Sequence, residues 1–361
     1  MKRLSFLVPL ALVLAASACT SPAAPPPAGP NVILITFDGL RQEEVFTGAD
    51  SLLLFDERHT ENPAKVAAEF WKTDPDARRT ALLPFFWSTI ASQGRLYGNR
   101  ALGSDGVITN GLNFSYPGYN ELLSGRADSA VNSNDKIPNT NVTVLEWVNR
   151  QPGFEGKVAA FGSWDVFPYI INEERAGIPV NAGFETGSGE SRSERELFLD
   201  EMQPQVPSPW ETVRLDVFTH HYAFEYLKRA RPRLLYVAYG ETDDFAHDGE
   251  YAAYLRSART TDSMIRDLWT WVQSTDGYRD NTWLVITTDH GRSTGDRWVG
   301  HGTDWEGSGY VWLAVLGPGL SAGGEMRDAD FRLEQVAATV AARLGLDFTT
   351  SGDVAEPVGL E

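Results

Sequence analysis

The sequence is poor in thiols. Its 361 residues hold one cysteine, so no disulfide can close within the chain, and stability has to come from a packed core and from bound metals. Positive charge is also scarce. Lys and Arg number 31 against 49 Asp and Glu, a formal net charge of −18. A nucleic-acid partner needs clustered Lys and Arg on its phosphates, and this balance argues against one. No His-Glu-x-x-His motif occurs, which disfavours a metalloprotease, and there is no internal repeat. Histidines number only six, which keeps the candidates for a metal site few. The remainder, 42% hydrophobic and 22% charged, is ordinary for a globular protein, and the length suits one large domain or two small ones.

The first residues do not read as part of the fold. In "MKRLSFLVPLALVLAASAC", Lys2 and Arg3 precede an apolar run and then small residues, the pattern of a secretory signal peptide over 1–18. The apolar run is too short for an ordinary membrane-crossing helix. Ala16-Ser17-Ala18 suits signal cleavage. Cys19, directly after it, suits acylation as a bacterial lipoprotein, although Ala16 stands where lipoproteins usually carry Leu. Either route exports the protein, to the periplasm or to a membrane surface through an N-terminal lipid. Residues 19–30 form a Pro/Ala-rich tether, and 31–361 read as a single catalytic domain.

From Asn31 onward, apolar strands alternate with helical patterns. Strands are expected at "NVILITFDG", "KVAAFGSW", "PRLLYVAYG", "TWLVITTD" and "YVWLAVLGPG". Helices are expected at "ARRTALLPFFWSTIASQG", despite Pro84, and at "PGYNELLSG", "TVLEWVNR", "WETVRLDVFTHHYAFEYLKRA", "AAYLRSARTTDSMIRDLWTWVQ" and "DFRLEQVAATVAARLG". Continuous apolar strands between helices predict an α/β fold, a mostly parallel sheet with helices on both faces. The polar, Gly/Pro-rich segment 174–210 reads as an insertion or rim over one edge of it.

Three strands end in polar residues: Asp38, the acids around Asp243, and Asp289-His290. Ligands of such sheets bind beyond the carboxyl ends of the strands, so all three should meet there. Without thiols, a divalent metal would need carboxylates and imidazoles. Asp243 and His247 are four apart and share a face if a helix follows Gly240, while Asp244 then points elsewhere. His301 lies between glycines that let a loop approach closely. Each element has a plain alternative. Asp38-Gly39 is a common turn, Asp289-His290 a possible helix cap, His301 a loop residue and Ser115 a helix N-cap. His59, His220 and His221 read as structural or surface residues. Residues 160–177, rich in aromatics, read equally as core or as a substrate pocket around Trp164.

In combination and in order, four motifs resemble the alkaline phosphatase superfamily of two-metal phosphohydrolases. They are nearest to its nucleotide pyrophosphatase/phosphodiesterases and similar also to the metalloenzyme core of cofactor-independent phosphoglycerate mutases. "ITFDGLR" resembles the first-strand Asp motif. "NFSYPGYNELLSG" resembles the nucleophile segment, with Ser115-Tyr116-Pro117 in place of Thr-Phe-Pro. "ETDDFAH" resembles Asp-x-x-x-His, and "TTDHG" with "GHGT" resembles Asp-His-Gly and the final metal-binding His. The resemblance implies an alkaline-phosphatase-like core and two divalent metals, zinc from the mixed donor set or manganese. One would be held by Asp38, Ser115, Asp289 and His290, the other by Asp243, His247 and His301. It further implies Ser115 as the nucleophile towards a small-molecule phosphate mono- or diester, through a phosphoserine intermediate.

The departures matter as well. Sulfatases of the superfamily need Cys or Ser, then x-Pro-x-Arg, to make formylglycine, and Tyr119 stands where that Arg is required. Ser replaces the phosphodiesterase Thr. The gap from His290 to His301 is shorter than in the phosphodiesterases, and the span from Ser115 to Asp243 is too short for the mutases' inserted domain. Asn132 and Asn134 lie near the phosphate-contacting Asn of the phosphodiesterases, but neither aligns without a gap. A transferase or mutase of the same superfamily and a non-catalytic metal- or ligand-binding lipoprotein are the alternative readings.

Overall fold

A computed structural model describes residues 29–187, 189 and 191–360. The expectations for the signal peptide and for Cys19 fall outside the described residues. Among the described residues ten strands form: β1 (Asn31–Phe37), β2 (Arg95–Tyr97), β3 (Gly106–Val107), β4 (Val158–Gly162), β5 (Val180–Ala182), β6 (Leu234–Tyr239), β7 (Thr282–Thr288), β8 (Leu313–Leu316), β9 (Gly324–Glu325) and β10 (Phe331–Arg332). Eight make one sheet in the order β5-β4-β6-β1-β7-β8-β2-β9, while β3 and β10 pair separately. From β5 to β7 every pairing is parallel, and β8 runs antiparallel to both β7 and β2.

The central strands are buried along their whole length, which is why they read as apolar runs without alternation. Successive side chains still point to opposite faces. Ile33, Ile35 and Phe37 enter one core, with the helices Asp216–Ala230 and Tyr251–Ser274. Val32 and Leu34 enter the other, with Ser115–Ser124, Val144–Asn149 and Gln335–Arg343. The expected α/β fold, a mostly parallel sheet covered by helices on both faces, is the fold observed.

Some boundaries differ from the sequence reading. The helix expected across Pro84 is broken. Leu83 takes φ −122° and ψ 71°, because the residue before proline avoids the helical region, and the chain resumes as a π-helical turn at Phe86–Ile90. The helix expected from Trp210 begins only at Asp216, so residues 210–215 pass over the sheet edge as irregular chain. The last helix starts at Gln335, since Phe331–Arg332 pairs with β3 instead. Segment 174–210 is more than a rim. Its Val180–Ala182 is the edge strand β5, and its Glu194–Met202 helix, opened by a Ser193/Glu196 capping box, packs on Asp216–Ala230. No helix among the described residues is long and apolar enough to cross a membrane.

Candidate active site and metal centre

Strand register brings the three polar ends level. Phe37 lies opposite both Tyr239 and Thr288, so Asp38, Gly240 and Asp289 leave the sheet side by side. Gly39 turns the chain at φ 59°, and a Cβ there would lie 2.6 Å from Asp243 Oδ1. After β6 the helix Glu241–His247 starts at once, with Asp216 accepting the N–H groups of Gly240 (2.8 Å) and Glu241 (3.2 Å) as a cap supplied from another helix. The helical spacing sets His247 Nε2 3.1 Å from Asp243 Oδ2. Ser115 is the first residue of its helix and caps nothing. Its Oγ lies 3.3 Å from His290 Nε2. Close approach of that helix to β7 requires Gly118, where a Cβ would meet the Asp289 carbonyl oxygen at 2.4 Å.

The seven candidate residues come together. His290 Nε2 is 3.3 Å from Asp38 Oδ1, 3.5 Å from Asp289 Oδ2 and 3.7 Å from Asp243 Oδ1. His301 Nε2 is 3.6 Å from Asp243 Oδ1 and 2.9 Å from His247 Nε2, and its ring stacks on His290 at 3.9 Å between centroids. Asp38, Ser115, Asp243, His247 and His301 line a cavity of about 200 Å³, with Asp289 and His290 buried behind them.

The proton positions follow from fixed acceptors. His290 Nδ1 faces the Gly291 carbonyl at 2.9 Å and His301 Nδ1 the Asn113 carbonyl at 3.2 Å, so both donate there and turn an Nε2 lone pair towards the carboxylates. Burial holds the His290 pKa down to about 4 and that of His301 well below its ordinary range, so neither ring supplies a cation. Asp38 Oδ1 and Asp289 Oδ2 have no hydrogen-bond partner at all. Burial, then neighbouring carboxylates, push both of these acids well above the usual carboxylate range. Lone pairs aimed at unpartnered buried carboxylate oxygens are what a divalent cation satisfies. Two sets, Asp38/Asp289/His290 and Asp243/His290/His301, converge closely enough to share an ion. His247 is different. Its Nδ1 faces an Arg292 N–H at 3.3 Å, which leaves its ring proton on the Nε2 that points into the cluster.

Arg292 went unread in the sequence. Its side chain is buried and donates to Asp243 Oδ1 through Nη1, to Trp298 O through Nε (3.0 Å) and to Val299 O through Nη2. Burial pushes the Asp243 carboxyl up, but Arg292 and then His247 outweigh it and hold it well below the usual range. The signal was an arginine directly after Asp-His-Gly, the cation nearest the acid-rich motifs. Tyr119 was read only as a departure. It donates from its hydroxyl to Asp38 Oδ2 at 2.9 Å. Asn134, which did not align, accepts the Tyr116 N–H at 3.0 Å and lines the cavity, as does Trp164. That bond, together with proline at 117, leaves neither the Tyr116 nor the residue-117 position with a free helix-start N–H for an anionic oxygen. His220 is a core residue bonded to the Tyr239 hydroxyl at 2.9 Å, and His59 accepts from the Trp298 indole at 3.2 Å.

A family model described as Sulfatase matches residues 115–346, beginning at the serine of the cluster. The chain belongs to the Sulfatase family. Solved structures similar to this Sulfatase-family chain include the lipoteichoic acid synthase LtaP from Listeria monocytogenes, with TM-score 0.57 and 11% identity over 90% of this chain and 74% of that one. A 2-O GAG sulfatase gives TM-score 0.54 and 15% identity over 90% and 72%. The phosphonate monoester hydrolase of Agrobacterium radiobacter gives 0.53 and 14% over 88% and 74%. No curated protein matches the chain in sequence. The alkaline phosphatase superfamily resemblance is thereby borne out, and the superfamily is one of metal-dependent hydrolases and transferases.

Proposed function

We propose that the protein is an exported, metal-dependent hydrolase that cleaves phosphate esters through a phosphoserine on Ser115. One observation carries the reading. Ser115 Oγ sits 3.3 Å from His290 Nε2, beside two carboxylate oxygens, Asp38 Oδ1 and Asp289 Oδ2, that have no partner. Two divalent ions, zinc or manganese, held by Asp38, Asp289 and His290 and by Asp243, His301 and, once its Nε2 proton is displaced, His247, would supply positive charge that lowers the serine pKa and offsets charge on the oxygens around phosphorus. Ser115 Oγ attacks phosphorus, the bond to the leaving oxygen breaks, and water then releases phosphate from the serine. Tyr119 orients Asp38, and Arg292 fixes Asp243.

Tyr119 also favours phosphate over sulfate. The formylglycine signature requires Arg at that position, and here the side chain is committed to Asp38. A phosphoryl transferase would use the same serine step with an acceptor other than water. The test is to purify the mature domain, measure its metal content, and assay aryl phosphate monoesters, diesters and sulfates beside Ser115→Ala. Turnover of phosphate esters that Ser115→Ala abolishes supports the reading. Turnover of sulfates alone, no turnover with two metals bound, or full activity of Ser115→Ala overturns it.

A further inference from the structure

Glu121 is a buried acid that the phosphoserine step leaves unused. It follows Ser115 on the same helix, nearly two turns on, and is fully buried. Its Oε1 accepts the Thr109 N–H at 2.9 Å and the Thr109 hydroxyl at 3.1 Å. Its Oε2 accepts the Asn110 N–H and the Asn110 side-chain amide, each at 2.9 Å. The charge that faces it is a second acid, Glu334. Burying a carboxylate without a cation is unfavourable, and four donors from one loop offset that cost here. Burial, with a smaller push from Glu334, raises the Glu121 pKa to about 7, so the ionised form that four donors require prevails at pH 8.

The loop that Glu121 holds runs straight into the site. Asn110 Oδ1 accepts the N–H groups of Leu112 (2.8 Å) and Asn113 (3.1 Å), a turn closed by a side chain. Asn113 takes a left-handed φ of 54°, which asparagine tolerates. Its carbonyl then accepts from His301 Nδ1 at 3.2 Å, and the Gly111 carbonyl accepts the Thr303 hydroxyl at 3.1 Å. Beyond Asn113 the chain passes Phe114 and reaches Ser115. One short turn thus leads into the nucleophile and seats the loop of His301 on its carbonyls. The Asn113 carbonyl decides which ring nitrogen of His301 keeps its proton, and Glu121 anchors the turn that places that carbonyl.

We propose that Glu121 is a positioning residue for the metal centre: by anchoring residues 109–113 it turns the Nε2 lone pair of His301 towards Asp243. The inference rests on the metal centre of the reading above and not on its substrate. It separates the two metal sets. Asp38, Asp289 and His290 take their hydrogen bonds elsewhere, from the Tyr119 hydroxyl, from the Gly39 N–H and on the Gly291 carbonyl. A Glu121 that merely held the fold together would weaken both sets alike when replaced. A Glu121 that aims His301 weakens only the set that contains it.

The test uses metal-free protein at pH 8, with two readouts. In zinc titrations, Glu121→Gln should bind one of two equivalents about 10–100-fold more weakly and the other as in the wild type. In nitrogen-15 NMR of the histidine rings, His301 should carry its proton on Nδ1 in the wild type and on both nitrogens in exchange in the variant. Asn110→Ala, at a half-exposed position, removes one donor and the turn, so it should move both readouts the same way, and it carries the test if Glu121→Gln does not fold. Glu334→Gln, which removes the neighbouring acid, should leave both readouts unchanged. Two equivalents weakened alike, or a His301 tautomer unchanged in Glu121→Gln and Asn110→Ala, overturns the inference. If the wild type binds no zinc, it is the metal reading that fails, and the tautomer comparison still decides the role of Glu121.

Discussion

At the residue scale, the side chains that hold the ligands in place matter as much as the ligands. Arg292 ties together Asp243, His247 and the chain that leads to His301, using its planar fork of donors. Arg292→Lys keeps the charge and loses the fork. Breaking a buried charge pair costs about 3–5 kcal/mol, and losing a residue that orients metal ligands weakens binding about 10–100-fold. Urea unfolding and metal titration of Arg292→Lys should show both losses. Tyr119→Phe removes one hydrogen bond to Asp38, at about 1 kcal/mol. Here the expected result is weaker metal binding with near-normal stability, because the ring packs against Phe167 as before.

Elements explain how the sheet edge is kept in register with its helices. Gly118 lets the serine helix touch β7, and Gly118→Ala should lower stability by about 1–3 kcal/mol, since the Cβ would strike backbone. The break at Pro84 is held by Asp262, which accepts the N–H groups of Phe85 and Phe86, each at 2.8 Å. Burial raises the Asp262 pKa to about 6, above an unfolded value of about 3.9. A raised carboxyl stabilises the fold most below its unfolded pKa, and that contribution fades as pH rises through 6. Asp262→Asn should therefore flatten the fall in stability between about pH 4 and 6, a slope worth about 2–3 kcal/mol, readable from urea midpoints across that range.

For the whole molecule, metal ions bound at this centre would also act as a clamp. Asp38, Asp243 and Asp289 come from three neighbouring strand ends and repel one another when nothing positive lies between them. A ligand at 100 times its Kd adds about 2.7 kcal/mol to folding stability. Dialysis against a chelator should lower Tm by several degrees, and returning zinc or manganese should restore it. An unchanged Tm with metals removed would show that the sheet edge needs no cation.

Much was legible along the chain. Apolar runs between helical patterns determined the α/β layering, because strands buried on both faces cannot alternate. The Asp-Gly that ends the first strand, the Ser-Tyr-Pro turn, the four-residue spacing of Asp243 and His247, the Asp-His-Gly motif and the glycine-flanked His301 singled out the seven residues, since each is a local pattern. Contacts between distant segments were decided only in the tertiary structure. Arg292 reaches Asp243 across 49 positions, Tyr119 reaches Asp38 across 81, and Tyr116 meets Asn134 across 18. Asp243 and Asp244 are the same residue type one position apart. The helix following Gly240 turns one towards the histidines and Arg292 and leaves the other without a partner on the cavity wall, and that separation is a matter of packing.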